Sequence, residues 1–452
     1  MFWALYQVIF VLGFVALLPR YAVRMLRRGG YADHFAERLG RYTPDVLRRL
    51  RDLQHPVWVH AVSVGEMNVA VALIREWRRR DPTARFVIST TTPTGRRLAT
   101  SKLTDEEVVV YFPVDFPLCV RRALEAIHPS ALVLCEGELW PNLTRIAHAR
   151  GIPIVIVNAR LSDRSYRRFR KMRTWTPQWW GRVHLVCVQS SEDCARYIEL
   201  GVPPDRLLVV GSAKYDAARP ALEIAQRLRE HLVQRGFPAD ARFLVGGSTW
   251  PGEEEILMRA YMALRSEIPT LRLLLVPRHA ERRAELVQRI RARALSLYQR
   301  STDRSDTPTP DVALLDTTGE LMAAYGLAEV VFVGKSLTRQ GGQNPIEPAL
   351  WGKPILCGPH MENFRTILND FVEARAVRIV RNEEDLIQTA REFFHDPALA
   401  QQFGQRAREV TEQKSGAIQR TLDALQRVLP TASGSDRTAT RTDAPNIPAP
   451  GF

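Results

Sequence analysis

Residues 57–79 read VWVHAVSVGEMNVAVALIREWRR: an apolar, β-branched run, then Gly65 and Glu66, then a stretch whose apolar residues recur every three or four positions. The run predicts a strand from Val57 to Val62 and the stretch a helix from Met67 to Arg79, with Gly65 turning between them. A short continuous apolar strand followed by an amphipathic helix is the building unit of a parallel sheet covered by crossover helices.

The unit repeats outward from there. Further strands are expected at Arg85–Thr90, Val108–Phe112, Ala131–Cys135, Ile152–Val157, Leu185–Gln189 and Leu207–Val210. A linker and helix over Asp216–Gly236 interrupt the alternation, which restarts at Phe243–Gly246 and continues at Leu271–Val276, Val312–Leu315, Val330–Gly334, Pro354–Cys357 and Val377–Val380. A chain of 452 residues exceeds what one core usually serves. Two α/β parallel-sheet domains in series are therefore expected, over residues 21–216 and 217–430. The halves share an architecture and no sequence repeat. Residues 431–452, rich in Thr, Ala, Asp, Pro and Ser without periodicity, read as a disordered tail.

Residues 2–18 are apolar apart from Gln7 and Gly13 and are followed by Arg20, Arg24, Arg27 and Arg28. Residues 1–20 are expected to form a membrane anchor. The length is at the short end of the spanning range, roughly 17 to 25 residues, so spanning and interfacial helices both fit. Arginines after the run are expected to keep the rest of the chain on the cytoplasmic side of the membrane, and they stand on the wrong side for a cleaved signal peptide.

Basic residues number 63 against 49 acidic, a net charge of +14 that favours a polyanionic partner. They are spread along helices without aromatic interleaving, which argues against nucleic acid as that partner. The five cysteines are scattered, with no CxxC pair, so neither a disulfide framework nor a structural zinc site is indicated.

In open α/β sheets ligands settle at the carboxyl ends of strands, and several loops there carry chemistry. In HAVSVGE (60–66), Glu66 either interacts with helix N-terminal N–H groups or acts as a base, and as a base it needs burial to offset the helix N-terminus. The hydroxyls of STTTPTG (89–95) suit phosphate or sugar oxygens, or else cap a helix. CEGELWPN (135–142) ends a strand in Glu136, Glu138, an indole and an amide, suited to sugar hydroxyls or a nearby cation; ligand spacing for a metal is lacking. GSAKYD (211–216) directs Lys214 toward a cleft between the domains, where it would balance phosphate charge, unless it is a solvated surface lysine. The second half adds GGST (246–249), VPRH (276–279), DTTGE (316–320) and QGGQNPIEP (340–348). In the last, paired glycines offer N–H groups to an anion and Glu347 can accept from a ribose diol, or the stretch is an ordinary glycine turn before a helix. Neither GxGxxG nor a P-loop is present.

Taken in order, HAVSVGE, STTTPTG, CEGELWPN, NARLS, GSAKYD, GGSTWPGEE, VPRH, TTGEL, GGQNPIEP and GPHMENF resemble the 3-deoxy-D-manno-octulosonate (Kdo) transferases, from the N-terminus to about residue 425. The resemblance implies a GT-B fold, two Rossmann-like domains facing a cleft, with donor nucleotide in the C-terminal domain and acceptor in the N-terminal one. It implies inverting transfer of Kdo from CMP-Kdo to the lipid A precursor in lipopolysaccharide assembly, with no cofactor and no metal. By position in their motifs, Glu66 would be the general base and Glu136 and Lys214 the transition-state stabilisers. Pro277, Arg278, Thr318, Gly319, Glu320, Asn344, Pro345, Ile346 and Glu347 would contact CMP. A transferase or epimerase of the same fold using a UDP-sugar is the alternative.

Overall fold

A computed structural model describes residues 34–137, 139–216 and 222–429, with 220 and, near the N-terminus, 3, 6, 7, 10–13 and 16. Glu138, the tail read over 431–452 and most of the anchor read over 1–20 lie outside the described residues. Among the described residues no helix is long and apolar enough to cross a membrane.

The first sheet holds seven parallel strands: β1 (Val57–His60), β2 (Phe86–Thr90), β3 (Val108–Tyr111), β4 (Ala131–Cys135), β5 (Ile154–Ala159), β6 (Leu185–Val188) and β7 (Leu207–Val209). Their spatial order is β3-β2-β1-β4-β5-β6-β7. β4 and β5 are buried along their whole length, as continuous apolar runs require when helices cover both faces. The covering helices Pro93–Lys102, Pro117–Ile127 and Pro141–Ala149 each begin on proline, whose fixed φ suits a first turn and whose missing N–H would have no partner there. Because the chain winds outward both ways from β1 and β4, the loops after these two strands part company and leave a crevice at their carboxyl ends.

The helix after β1 spans Val64–Arg80 and so starts three residues earlier than the sequence suggested. Gly65 is helical and makes no turn; Ser63 caps the helix, and the spacing Ser63-x-x-Glu66 closes a capping box.

The second sheet runs β11-β10-β12-β9-β8-β13-β14-β15, with β8 (Arg242–Thr249), β9 (Leu271–Pro277), β10 (Leu297–Gln299), β11 (Arg304–Ser305), β12 (Val312–Leu314), β13 (Ala328–Val333), β14 (Ile355–Cys357) and β15 (Val377–Ile379). All pairs are parallel except β10 with β11. These two strands, three and two residues long, were not expected; runs so short carry no period to read. Here the winding reverses between β8 and β13.

The chain divides into two units, Met1–Ala217 with Gly416–Phe452, and Ala218–Ser415. The expected boundary, with 217–430 in one domain, is thereby corrected for the last helix, Ala417–Val428. Its apolar face, Ile418, Leu422 and Leu425, belongs to the core of the first sheet beside Leu73 and Ile74. Asp216 fixes its start, accepting from the N–H of Gly416 (2.6 Å) and Ile418 (2.7 Å). A periodic apolar stripe says that a helix is covered, but not by which domain.

Candidate active site

Glu66 sits at the third position of its helix, 6% exposed. One carboxylate oxygen accepts from Val62 N–H at 2.9 Å and the other from Ser63 N–H at 3.2 Å. Both readings of this residue therefore meet in one place: it closes a capping box and it is buried. Burial raises its pKa above the ordinary 4.5, the Val62 N–H opposes that, and the negative charge of Glu136 adds to the rise. Each oxygen keeps a second lone pair beyond the capping bonds. His60, four residues from Ser63's helix start, is not a competing base. Burial takes its pKa down to about 3, its Nδ1 lies 2.9 Å from Ser89 Oγ, and its ring stacks on Phe112 at 3.8 Å.

Glu136 follows β4 directly with φ of 63°, a left-handed conformation that costs a non-glycine residue on the order of 1 kcal/mol or more. The turn is fastened to β5 from both sides: Glu136 N–H donates to Val157 O at 3.0 Å and Arg160 N–H to Glu136 O at 3.3 Å. Its carboxylate pairs with Lys214 Nζ at 3.1 Å, the two side chains 19% and 17% exposed. Asn158 organises the meeting. It is buried, its Oδ1 accepts from Ala213 N–H at 3.0 Å, and its Nδ2 lies 3.5 Å from Glu136 Oε1. Gly137 follows with φ of 106°, and a Cβ there would lie 2.5 Å from the Tyr197 hydroxyl. Gly137→Ala is expected to destabilise the protein by about 1–3 kcal/mol, seen as a lowered Tm in a thermal melt, because strain and clash add.

Glu66 and Glu136 line one cavity of about 330 Å³, walled by Trp140 and Phe169 and bordered by Arg160 and Arg168. Two carboxylates, two guanidinium groups and two aromatic faces suit a ligand with hydroxyls, negative charge and apolar surface together. The structure thus brings together the three catalytic candidates Glu66, Glu136 and Lys214. It adds Asn158, Arg160 and Arg168, of which NARLS held the first two without singling them out. The hydroxyls of STTTPTG take the helix-capping alternative: Thr92 Oγ1 accepts from Gly95 N–H at 3.1 Å, and Thr90 and Thr92 both donate to Val62 O at 3.3 Å.

In the second unit the expected CMP segments follow β9, β12 and β13 and so share one edge of a parallel sheet. Pro277 closes β9, and the Arg278 side chain is exposed. Thr318 and Gly319 are exposed, while Glu320 is held by Arg300 (Nε to Oε1, 2.9 Å) and by Thr317 Oγ1. Asn344 donates to Glu347 Oε1 at 3.2 Å and accepts from Ile346 N–H at 3.1 Å; Pro345 caps that helix, and the Ile346 side chain is wholly buried. Lys335, in the stretch Gly334-Lys-Ser, sits in the loop after β13. Its ammonium lies 4.8 Å from the Trp250 ring, and its loop is clamped by buried Glu253, which accepts from the N–H groups of Lys335, Ser336 and Leu337 at 2.7–3.0 Å.

A model of the family described as 3-Deoxy-D-manno-octulosonic-acid transferase (kdotransferase) matches residues 33–217. The 3-deoxy-D-manno-octulosonic acid transferase of Haemophilus influenzae is 32% identical over 421 residues, covering 92% of this chain and 95% of that relative. The enzyme of the same name from Bordetella pertussis is 34% identical over 414 residues, covering 89% and 94%. Among solved structures, UDP-GlcNAc 2-epimerase of Neisseria meningitidis bound to UDP-GlcNAc is similar in fold, with a TM-score of 0.58 at 13% identity, over 82% of this chain and 100% of that one.

Proposed function

Since this chain belongs to the Kdo transferase family and is a glycosyltransferase of GT-B fold, we propose that it moves Kdo from CMP-Kdo to the lipid A precursor of lipopolysaccharide, with inversion at the anomeric carbon. The observation that carries this reading is the pair of carboxylates, Glu66 and Glu136, lining one cavity at the β1/β4 crevice with Lys214 bound to the second.

Glu66 takes the proton of an acceptor hydroxyl as its oxygen bonds to the anomeric carbon of Kdo, and the bond from that carbon to the CMP phosphate breaks. The elevated pKa suits a base working near neutrality. A nucleoside monophosphate leaves readily and needs charge stabilisation more than a proton, which is the part given to Lys214, held in place by Glu136. Arg160 and Arg168 supply cations to an anionic acceptor, and Trp140 and Phe169 an apolar wall to its lipid portion.

CMP is assigned to Pro277, Arg278, Thr318, Gly319, Glu320, Asn344, Pro345, Ile346 and Glu347. Ile346 would contribute backbone alone, its side chain being in the core and its N–H bonded to Asn344, and the Glu320 carboxylate would keep its bond to Arg300. The apolar N-terminal run and the arginines after it would hold the enzyme at the cytoplasmic face of the inner membrane.

Incubation with CMP-Kdo and lipid A precursor is expected to give a product heavier by Kdo. In thermal melts CMP is expected to raise Tm more than UDP at equal concentration. Preferential protection by UDP, with no Kdo product, would turn the assignment toward a UDP-sugar enzyme.

A further inference from the structure

Near the N-terminus, residues 3, 6, 7 and 10 are helical and, being spaced i, i+3, i+4 and i+7, share one face. That face is occupied by the first unit. The guanidinium groups of Arg145 and Arg182 lie 5.1 and 4.9 Å from the Trp3 ring, and Phe10 meets Phe116 edge-on at 5.2 Å. The Tyr6 hydroxyl donates to Asp115 Oδ2 at 3.3 Å, and Gln7 Nε2 donates to Asn142 Oδ1. Leu12, about 180° round the same helix from Trp3, is 65% exposed.

What Tyr6 and Gln7 touch matters. Asp115, 1% exposed, accepts from the N–H groups of Asn142 and Leu143, both at 2.9 Å, and these open the helix Pro141–Ala149. Asn142 is fully buried and reaches back to Asp115 O. The Asp115–Asn142 clamp therefore sets where that helix starts, and with it the preceding Leu139 and Trp140, which line the cavity with Glu66 and Glu136. Residues serving only to tether a protein to a bilayer have no need of polar side chains aimed at a buried carboxylate and a buried amide.

We propose that the N-terminal helix is a positioning element of the acceptor cavity: Tyr6 and Gln7 brace the Asp115–Asn142 clamp and thereby fix the Trp140 wall. This rests on the cavity being the acceptor site. The helix then does two things at once, since whatever seats it also tightens the wall against which the acceptor packs.

The test uses the full chain in detergent with the acylated acceptor dispersed in the same micelles, so that attachment to a bilayer plays no part. Tyr6→Phe/Gln7→Ala is expected to raise the acceptor KM about tenfold while kcat and the CMP-Kdo KM stay within about twofold. Amide hydrogen exchange at Asn142 and Leu143 is expected to accelerate by a similar factor. Leu12→Ser, on the opposite face, should move neither. An unchanged acceptor KM together with unchanged exchange in the double variant would overturn the proposal. If the wild type does not use this acceptor, the assigned function fails, and the exchange measurement alone decides whether the brace exists: no acceleration overturns it.

Discussion

Glu66→Gln is expected to lower kcat by about 100- to 10,000-fold, the range lost when a positioned base is removed. The substitution keeps the size of the side chain and one carbonyl oxygen for the capping box, so folding should survive. One of the two N–H groups now bonded to the carboxylate, from Val62 or Ser63, would face an amide NH₂ instead, at a cost of about 1–3 kcal/mol. A thermal melt with a single cooperative transition, slightly lowered, alongside near-complete loss of turnover is the expected pair of results. Turnover above a tenth of wild type in a folded Glu66→Gln protein would remove Glu66 from the role of base. The pH profile supplies an independent check. The active form is the ionised carboxylate, so activity is lost as pH falls through its pKa, and burial places that loss above the usual carboxylate range. Glu136 contributes to the rise, so Glu136→Gln should move the acid limb of kcat/KM to lower pH; a limb that stays in place would mean another group is titrating.

The second large effect is expected at Lys214. Lys214→Met should reduce kcat by roughly 100- to 1,000-fold, as when one fixed charge or donor facing a developing negative charge is lost. It also leaves Glu136 without its partner at 3.1 Å in a site under one-fifth exposed, so stability should fall as well. The companion variant Lys214→Met/Glu136→Gln separates the two consequences. Removing both charges is expected to return most of the lost Tm, because no uncompensated carboxylate remains, and to return none of the activity. Recovery of turnover in the double variant would mean that Lys214 serves only to neutralise Glu136.

Most of the architecture could be read in the sequence because it rests on local signals. Continuous apolar runs such as Ala131–Leu134 and periodic stretches such as 67–79 mark the strands and helices, and the loops after those strands follow from the same local pattern.

 Long-range facts were not legible. The partnership of Lys214 with Glu136 depends on β4 and the 211–214 segment meeting through Asn158, which no spacing in the chain announces. The direction of Glu320, turned to Arg300, and the attachment of the last helix to the first unit are of the same kind. Ser63 is different, because the pattern Ser-x-x-Glu was present and would have moved the start of the helix to Val64 had it been read as a capping box.

The return of helix Ala417–Val428 to the first unit has a consequence for how the protein is made. The chain leaves that unit at Asp216 and re-enters it at Gly416, and the Asp216 carboxylate receives the returning strand of chain. On the ribosome, at about 5–20 residues per second, the separation of 200 positions from Asp216 to Gly416 takes roughly 10–40 s to synthesise. Throughout that interval the nascent first sheet waits with Leu73, Ile74 and Val210 lacking the cover that Ile418, Leu422 and Leu425 provide. The second unit can fold meanwhile, as an insert within an unfinished host. A nascent chain stalled just short of the last helix should accordingly be more open to protease and to chaperone capture in its first half than in its second.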